Sequence, residues 1–241
     1  QELFKAGPWA KLTYSINRAG AEFDTSVVTS EAVKPASIEN YLRVAGLLYL
    51  FIGLFVFVSR WNAPRAVHFY IFCLASFILY SFHYSGKLNP FDWTIYWANV
   101  AALLLQPAVL LHFALVFPER RASPYAHSFR LLGVYGVSAL LLLLHVDVAT
   151  GAHIFVSSVR TRIRLDQVEH LYLGACFLLA ALIFLRSFRR APSGVLRQQL
   201  KWVTGGTLAG TLPFLLFYIL PFSAGYLPRW WMKFSALSLA L

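Results

Sequence analysis

Four polar side chains lie inside long apolar runs, where a polar group must find its hydrogen-bond partner within the protein. They are His68, His83, Gln106 and His112. An imidazole can carry a proton or bind a metal, so histidines in such runs are functional candidates. On one helix His68 and His83 would lie about 22 Å apart, too far to hold one ion, but His68 and His112 could meet across a helix pair. Hydrogen bonding between helices, or placement at the membrane interface, is favoured over a haem or metal site, and we expect neither metal nor cofactor.

A run of alternating arginines at residues 159–165 is a second candidate site. In an extended strand, alternation would place Arg160, Arg162 and Arg164 on one face. Guanidinium groups bind carboxylate and phosphate through paired hydrogen bonds, so this ridge could bind an anionic ligand or a peptide carboxylate. Glu169, which follows closely, could hold one of the arginines. The alternative is a solvated face whose charges touch lipid headgroups.

Gly206 and Gly210 form a GxxxG pattern, which lets helix backbones approach each other closely. A contact within one subunit is favoured over a contact in a dimer. The sequence shows no nucleophile–base pair, carboxylate dyad or HExxH motif, and no acidic residue deep in an apolar run. These patterns argue against an enzyme embedded in the membrane and against a transporter with carboxylates at the midplane.

The elements that must position these residues are apolar runs of membrane-spanning length. Hydrophobic residues make up 59% of the 241, and charged residues 13%, about half the share in soluble proteins. A helix needs about 20 apolar residues to cross a bilayer. We therefore predict an all-α integral membrane bundle with six complete spans and a truncated seventh. The predicted spans are about 41–59, 67–86, 93–117, 129–146, 168–187, 200–221 and 229–241.

The first 36 residues differ from the rest of the chain. Apolar and polar residues alternate over residues 11–18 and again over residues 23–27, on either side of a turn that contains Gly20. Period two around a glycine turn predicts a small N-terminal β-hairpin. Two strands alone are marginally stable, so we expect residues 1–36 to complete a domain whose first part is missing. Both ends of the chain are expected to be cuts through a longer protein.

Basic residues predict the orientation in the membrane. The net charge is +11, which in a soluble protein would suggest nucleic acid, but here the basic residues lie mainly in short loops, as topology signals do. We expect a lipid bilayer and no nucleic acid as partner. The loops near Arg60, Arg120 and Arg189 would be cytoplasmic, with residues 1–36 outside and the C-terminus inside. The loop with the alternating arginines is the exception.

Two segments resemble a known family. Residues 106–120 read QPAVLLHFALVFPER, and residues 197–214 read RQQLKWVTGGTLAGTLPF. They resemble the multi-span N-terminal sensor region of bacterial membrane-bound histidine kinases, in which a run ending His-Phe-x-x-x-Phe-Pro closes one helix and an Arg-Gln stretch with a Trp opens a later one. Similar sensor regions are fused to serine phosphatases or other output domains. Residues 3–20 resemble the end of a PDZ domain.

The resemblance implies a function and a set of partners. Residues 1–36 would be the C-terminal part of a PDZ-like extracytoplasmic domain, and residues 37–241 a transmembrane sensor bundle in the bacterial inner membrane. The parent protein would be a two-component histidine kinase that dimerises and acts on a cytoplasmic response regulator through a kinase domain missing from this chain. The chain itself would have no catalytic domain. The alternatives are the sensor region of a membrane-bound serine phosphatase or other signalling enzyme, and a small transporter-like protein.

Overall fold

The computed structural model describes residues 11–18, 20–28, 36–62, 66–83, 90–117, 124–150, 159–192, 194–226 and 228–240. Strands β1 (Lys11–Arg18) and β2 (Ala21–Val28) are followed by helices. The long helices are α1 (Ala36–Ser59), α2 (Ala66–Ser81), α3 (Pro90–Val116), α4 (Pro124–Thr150), α5 (Val159–Arg190) and α6 (Val195–Phe214). A π-helical turn (Leu215–Ile219), α7 (Leu220–Ser223), α8 (Trp230–Phe234) and a 3-10 helix (Ser235–Ala240) complete the described chain.

Five helices are long and apolar enough to cross a membrane, as a multi-pass membrane protein requires. They are α1, α3, α4, α5 and the continuous helix Val195–Ser223 that joins α6, the π-turn and α7. Large apolar side chains on the outside of the bundle fit a lipid environment; Phe55 of α1 is 71% exposed. The bundle is therefore helical and apolar outside, as predicted.

The number of spans is not confirmed. Helix α2, the predicted second span, has 16 residues and is only about 24 Å long, short of the ~30 Å hydrocarbon core. At the predicted seventh span, the described residues form the five-residue α8 and a six-residue 3-10 helix. Apolar composition alone did not reveal these shorter elements.

The hairpin has the predicted strands and turn. Leu12 lies opposite Val27, and Ile16 lies opposite Phe23, in an antiparallel pair. Gly20 has a positive φ of 84°, which glycine adopts without strain. The face that carries Ile16 and Phe23 is apolar and open, with 40% and 46% exposure. The predicted PDZ-like domain is not tested by these two strands.

Residues 159–165 form the first turns of α5, so the predicted arginine strand is wrong. The buried positions Leu165, Glu169 and Leu173 recur every four residues, and this stripe continues along α5 to Phe184. The alternation of arginines over seven residues therefore predicts the structure less well than the long stripe of buried residues at helical spacing. In the helix, Arg160 and Arg164 are exposed, whereas Arg162 lies on another face and is partly buried.

Helix α3 is the centre of the bundle and contacts α2, α4 and α5. Leu110 and Leu111 of α3 pack with Phe177 and Phe184 of α5 and with Phe214 at the end of α6. Helix α1 packs closely on α2 because glycines face it. A Cβ on Gly53 would lie 2.5 Å from the Cβ of Cys73, too close for any other residue without a shift.

The π-turn lies between two prolines of the last long helix. Pro213 and Pro221 each remove a backbone donor. The amide of Leu220 donates to the carbonyl of Leu215, five residues back, which widens the turn. Gly174 of α5 faces this turn, and a Cβ there would lie 2.6 Å from Ile219 Cδ1. The π-turn and α5 are therefore in tight contact.

Candidate functional site

Polar side chains from three helices meet at one end of the bundle. The first turns of α3 and α5 and the last turns of α4 lie together there, because successive long helices run in opposite directions. Tyr96 comes from α3, His145 from α4, and Arg162, Asp166 and Glu169 from α5. We call these five residues the charged network.

A buried histidine–carboxylate pair is the centre of the network. His145 Nδ1 lies 2.6 Å from Glu169 Oε1, and the two residues are only 3% and 2% exposed. A buried carboxylate is unfavourable unless a partner compensates for the lost water, and this short hydrogen bond supplies that partner. The pair joins α4 to α5 directly.

Tyr96 and Arg162 extend the network towards solvent. The Tyr96 hydroxyl lies 2.7 Å from His145 Nε2, and the Arg162 guanidinium donates to the same hydroxyl. With the His145 proton on Nδ1, the ring donates to Glu169 and accepts from Tyr96, so both ring nitrogens of His145 and the Tyr96 hydroxyl have partners. Arg162 also lies over the Tyr96 ring, 5.7 Å from its centroid, and its Nε is 4.0 Å from Asp166 Oδ1.

The network lines a polar cavity of about 620 Å³. Glu39 of α1, His83 after α2, Asn99 of α3 and His170 of α5 complete its polar wall. Asn99 donates through Nδ2 to the Phe82 carbonyl at 3.0 Å, while its buried Oδ1 has no hydrogen-bond partner among the described residues. The cavity thus offers carboxylates, imidazoles, one guanidinium and a vacant amide acceptor to a polar ligand.

The same end of α5 is joined to the last long helix. Gln167 Nε2 donates to the Phe222 carbonyl at 2.8 Å. His170 packs on the rings of Tyr218 and Phe222, with centroids 5.4 and 5.6 Å away. A change in the position of α5 at the network would therefore reach the π-turn and α7.

The predicted arginine site is only partly assembled. Arg162 joins the network, whereas Arg160 and Arg164 are exposed on another face of α5. Glu169 does not hold an arginine; it pairs with His145, whose ring lies closer because α4 packs against this face of α5. Of the predicted ligand-binding residues, Arg162 and Glu169 therefore lie in one site.

The predicted intramembrane polar residues occupy three places. His83 lines the polar cavity. Gln106 donates to Ser76 Oγ at 2.7 Å in the buried contact between α3 and α2, as expected for hydrogen bonding between helices. His68 and His112 meet edge to face, with ring centroids 4.5 Å apart, and His112 Nδ1 lies 2.9 Å from the Tyr135 hydroxyl. The predicted approach of these two histidines is confirmed.

The GxxxG pattern does not mark a close helix contact at Gly206, which faces open space. A Cβ added there would meet nothing within 4 Å. The Gly210 carbonyl accepts a hydrogen bond of 2.7 Å from Ser238 Oγ in the 3-10 helix. Both glycines line an apolar cavity, and the glycines that allow close helix contact are instead Gly46, Gly53 and Gly174.

Sequence reasoning missed His145, Tyr96 and the burial of Glu169. Asp147 and Glu169 are 4% and 2% exposed, so acidic residues are buried near the ends of their helices, which the sequence did not predict. A detectable signal was present: His145 and Asp147 close one apolar run, and Glu169 and His170 open the next. Consecutive antiparallel helices place such residues at the same depth.

Comparison of the chain with protein-family models, curated proteins and solved structures finds no match. Among the described residues, no group of three or more His, Cys, Asp or Glu side chains could hold a metal ion. The function of the chain is therefore inferred from the geometry of the charged network and its cavity.

Proposed function

We propose that this chain is the membrane-embedded sensing and anchoring region of a bacterial two-component sensor histidine kinase. The observation that supports sensing is the charged network, a buried His145–Glu169 pair that continues through Tyr96 to an open polar cavity. Five apolar helices support the anchoring role. The resemblance of residues 106–120 and 197–214 to histidine-kinase sensor regions supports the choice of family.

The proposed orientation places the polar cavity at the extracytoplasmic end of the bundle. Helix α5 runs from the network to Arg189 and Arg190 in its last turn. Basic residues at that end favour the cytoplasm. The hairpin and the end of the last long helix would then lie outside, and a cytoplasmic C-terminus in the bacterial inner membrane requires the chain to cross the bilayer again after Ser223.

In the proposed mechanism, a ligand or a state of the envelope favours one arrangement of the network over another. A ligand shifts such an equilibrium only through its different affinities for the two states. A polar ligand that competes for Arg162 or Asp166 would release Tyr96 and weaken its bond to His145. The contacts of α5 with Phe222 and with the π-turn would pass this change to the last long helix, and Ser238 links that helix to the C-terminal segment.

The proposed output lies in the longer parent protein. By the resemblance, the parent dimerises and its kinase domain phosphorylates a response regulator. A serine phosphatase or another signalling enzyme in place of the kinase would leave the role of this chain unchanged.

Autophosphorylation of the full-length parent in liposomes tests the proposal. Glu169→Gln keeps the shape of the side chain and removes its charge, so it should change the autophosphorylation rate by about tenfold, which corresponds to ~1.4 kcal/mol. Arg164→Gln is the matched control, because Arg164 is exposed on the same helix. Equal rates in wild type and in both variants would exclude the network from signalling.

Labelling of single cysteines in intact cells tests the orientation. An impermeant maleimide should label a cysteine at Thr25 and leave one at Arg189 unlabelled, in a background without the buried Cys73 and Cys176. The reverse pattern would invert the proposed topology.

A transport function is the second candidate, and the buried Glu169–His145 pair favours it. Proton-coupled carriers use such ionisable pairs inside their bundles. Proton uptake by proteoliposomes that contain the chain distinguishes the two proposals. We expect no flux above empty liposomes, and flux that disappears in Glu169→Gln would favour the transporter.

A further inference from the structure

A second cavity, of about 400 Å³, lies in the apolar half of the bundle away from the charged network. Helices α1, α2, α3, α5 and α6 enclose it. Seven aromatic side chains line it, among them Phe69, Phe113, Phe184 and Trp202. Its volume is between two and three times that of the ~150 Å³ engineered cavity that binds benzene, and it falls in the usual range for ligand pockets.

One side of this cavity carries a buried hydroxyl without a partner. Thr211 of α6 is 2% exposed, lines the cavity, and its Oγ1 has no hydrogen-bond partner among the described residues. Thr207, one turn earlier, lines the same cavity but donates to the Val203 carbonyl at 2.8 Å. A buried unpaired hydroxyl is unfavourable, so a ligand that bonds to Thr211 would be stabilised by it.

Small side chains keep the cavity open. Gly206 lines it, and a Cβ at that position would meet nothing within 4 Å. The glycine is therefore not required for contact with a neighbouring helix. Trp202 also lines the cavity and is 75% exposed, so one wall of the cavity lies at the outside of the bundle, where a molecule dissolved in the bilayer would approach it.

We propose that this cavity binds a membrane-soluble small molecule that carries an aromatic ring and a hydrogen-bond acceptor. Aromatic walls favour a ring, which packs against them edge to face or offset. A single polar group in an apolar pocket fixes the orientation of the ligand, and here the Thr211 hydroxyl donates to its acceptor. A phospholipid acyl chain has neither a ring nor an acceptor at this depth. The inference does not depend on the proposed sensory function.

Benzophenone is the probe, because it has two aromatic rings and one carbonyl acceptor and labels its binding site on irradiation. The chain in lipid nanodiscs should be labelled saturably, at residues of the cavity wall. Thr211→Val removes only the hydroxyl and should weaken binding about two- to tenfold, the loss of one hydrogen bond. Thr207→Val is the matched control and should bind as wild type, because its hydroxyl already has a partner.

Two further variants separate cavity binding from general partition into the bilayer. Gly206→Leu fills the cavity and should abolish saturable labelling, whereas Gly205→Leu, at the neighbouring exposed position, should not. Unchanged thermal unfolding shows that both variants fold. Diphenylmethane, which lacks the carbonyl, should compete equally well in wild type and Thr211→Val.

Four outcomes overturn the proposal. Labelling that does not saturate, or that persists in Gly206→Leu, shows that no site exists in the cavity. Equal effects of Thr211→Val and Thr207→Val exclude the Thr211 hydroxyl as the donor. Competition by polyunsaturated phospholipid as strong as by diphenylmethane identifies the occupant as a lipid chain.

Discussion

The His145–Glu169 pair should make the two residues strongly interdependent for stability. Replacing either residue alone with leucine leaves the other buried with an unpaired polar group. Replacing both leaves two apolar side chains of moderate size facing each other between α4 and α5. In the double variant the Tyr96 hydroxyl still accepts from Arg162 and can direct its own proton into the cavity, so its hydrogen bonding is largely preserved.

The expected magnitudes follow from the burial of the pair. Because both residues are at most 3% exposed, removing one partner should cost about 3–5 kcal/mol. For a protein of this size, that loss lowers the Tm by about 6–20 °C. Replacing both members of a buried hydrogen-bonded pair by apolar residues is commonly neutral or stabilising, so the double variant should lie within about 1 kcal/mol of wild type.

Thermal unfolding of the four proteins in one detergent measures the effect as a double-mutant cycle. Val146→Leu and Val168→Leu are matched controls, since each lies beside one member of the pair and is partly exposed, and neither should move the Tm by more than a degree or two. The decisive result is the order of stability: the double variant must be more stable than either single variant. A double variant that loses the sum of the two single losses would refute the pairing of His145 with Glu169.

Four other results are expected. Tyr96→Phe removes the link between His145 and Arg162 and should destabilise by about 1–2 kcal/mol in thermal unfolding; no change would mean that the link is absent. Gly53→Ala should destabilise by about 1–3 kcal/mol because its Cβ would lie 2.5 Å from another side chain, whereas Gly133→Ala, with open space around it, should be neutral or stabilising. Arg162→Gln should lower the Tm more than Arg164→Gln, and equal shifts would place Arg162 outside the network. The purified chain should not hydrolyse ATP, and turnover above that of a mock preparation would contradict the expectation that this chain carries no catalytic domain.

The helices and the hairpin were predictable because their signals are local. An apolar run of about 20 residues has few alternatives in a bilayer, and alternation around Gly20 favours a hairpin. The ends of the helices were less predictable. Residues 159–167 are polar enough to resemble a loop, yet they continue the α5 helix because Leu165 and Glu169 share its buried stripe.

The site was harder to predict because it depends on packing between helices. Gln106 was recognised as a polar residue in an apolar run, but its partner Ser76 was not, since sequence periodicity does not give rotation about the helix axis. Glu169 was assigned to a nearby arginine for the same reason, although the structure pairs it with His145 from the preceding helix. Proximity in sequence was a poor guide to the partner in space.

The position of the charged network explains how a buried histidine–carboxylate pair is compatible with a membrane bundle. Helix α5 has 32 residues, about 48 Å, so it extends well beyond the ~30 Å hydrocarbon core. If the basic residues at its C-terminal end lie at one boundary of that core, Glu169 lies near the opposite boundary, where Tyr96 and Arg162 line the polar cavity. Such a place is less unfavourable for charge than the midplane. Gly174 of α5 packs closely against Ile219 of the π-turn. Movement of α5 at this boundary would therefore also move the π-turn.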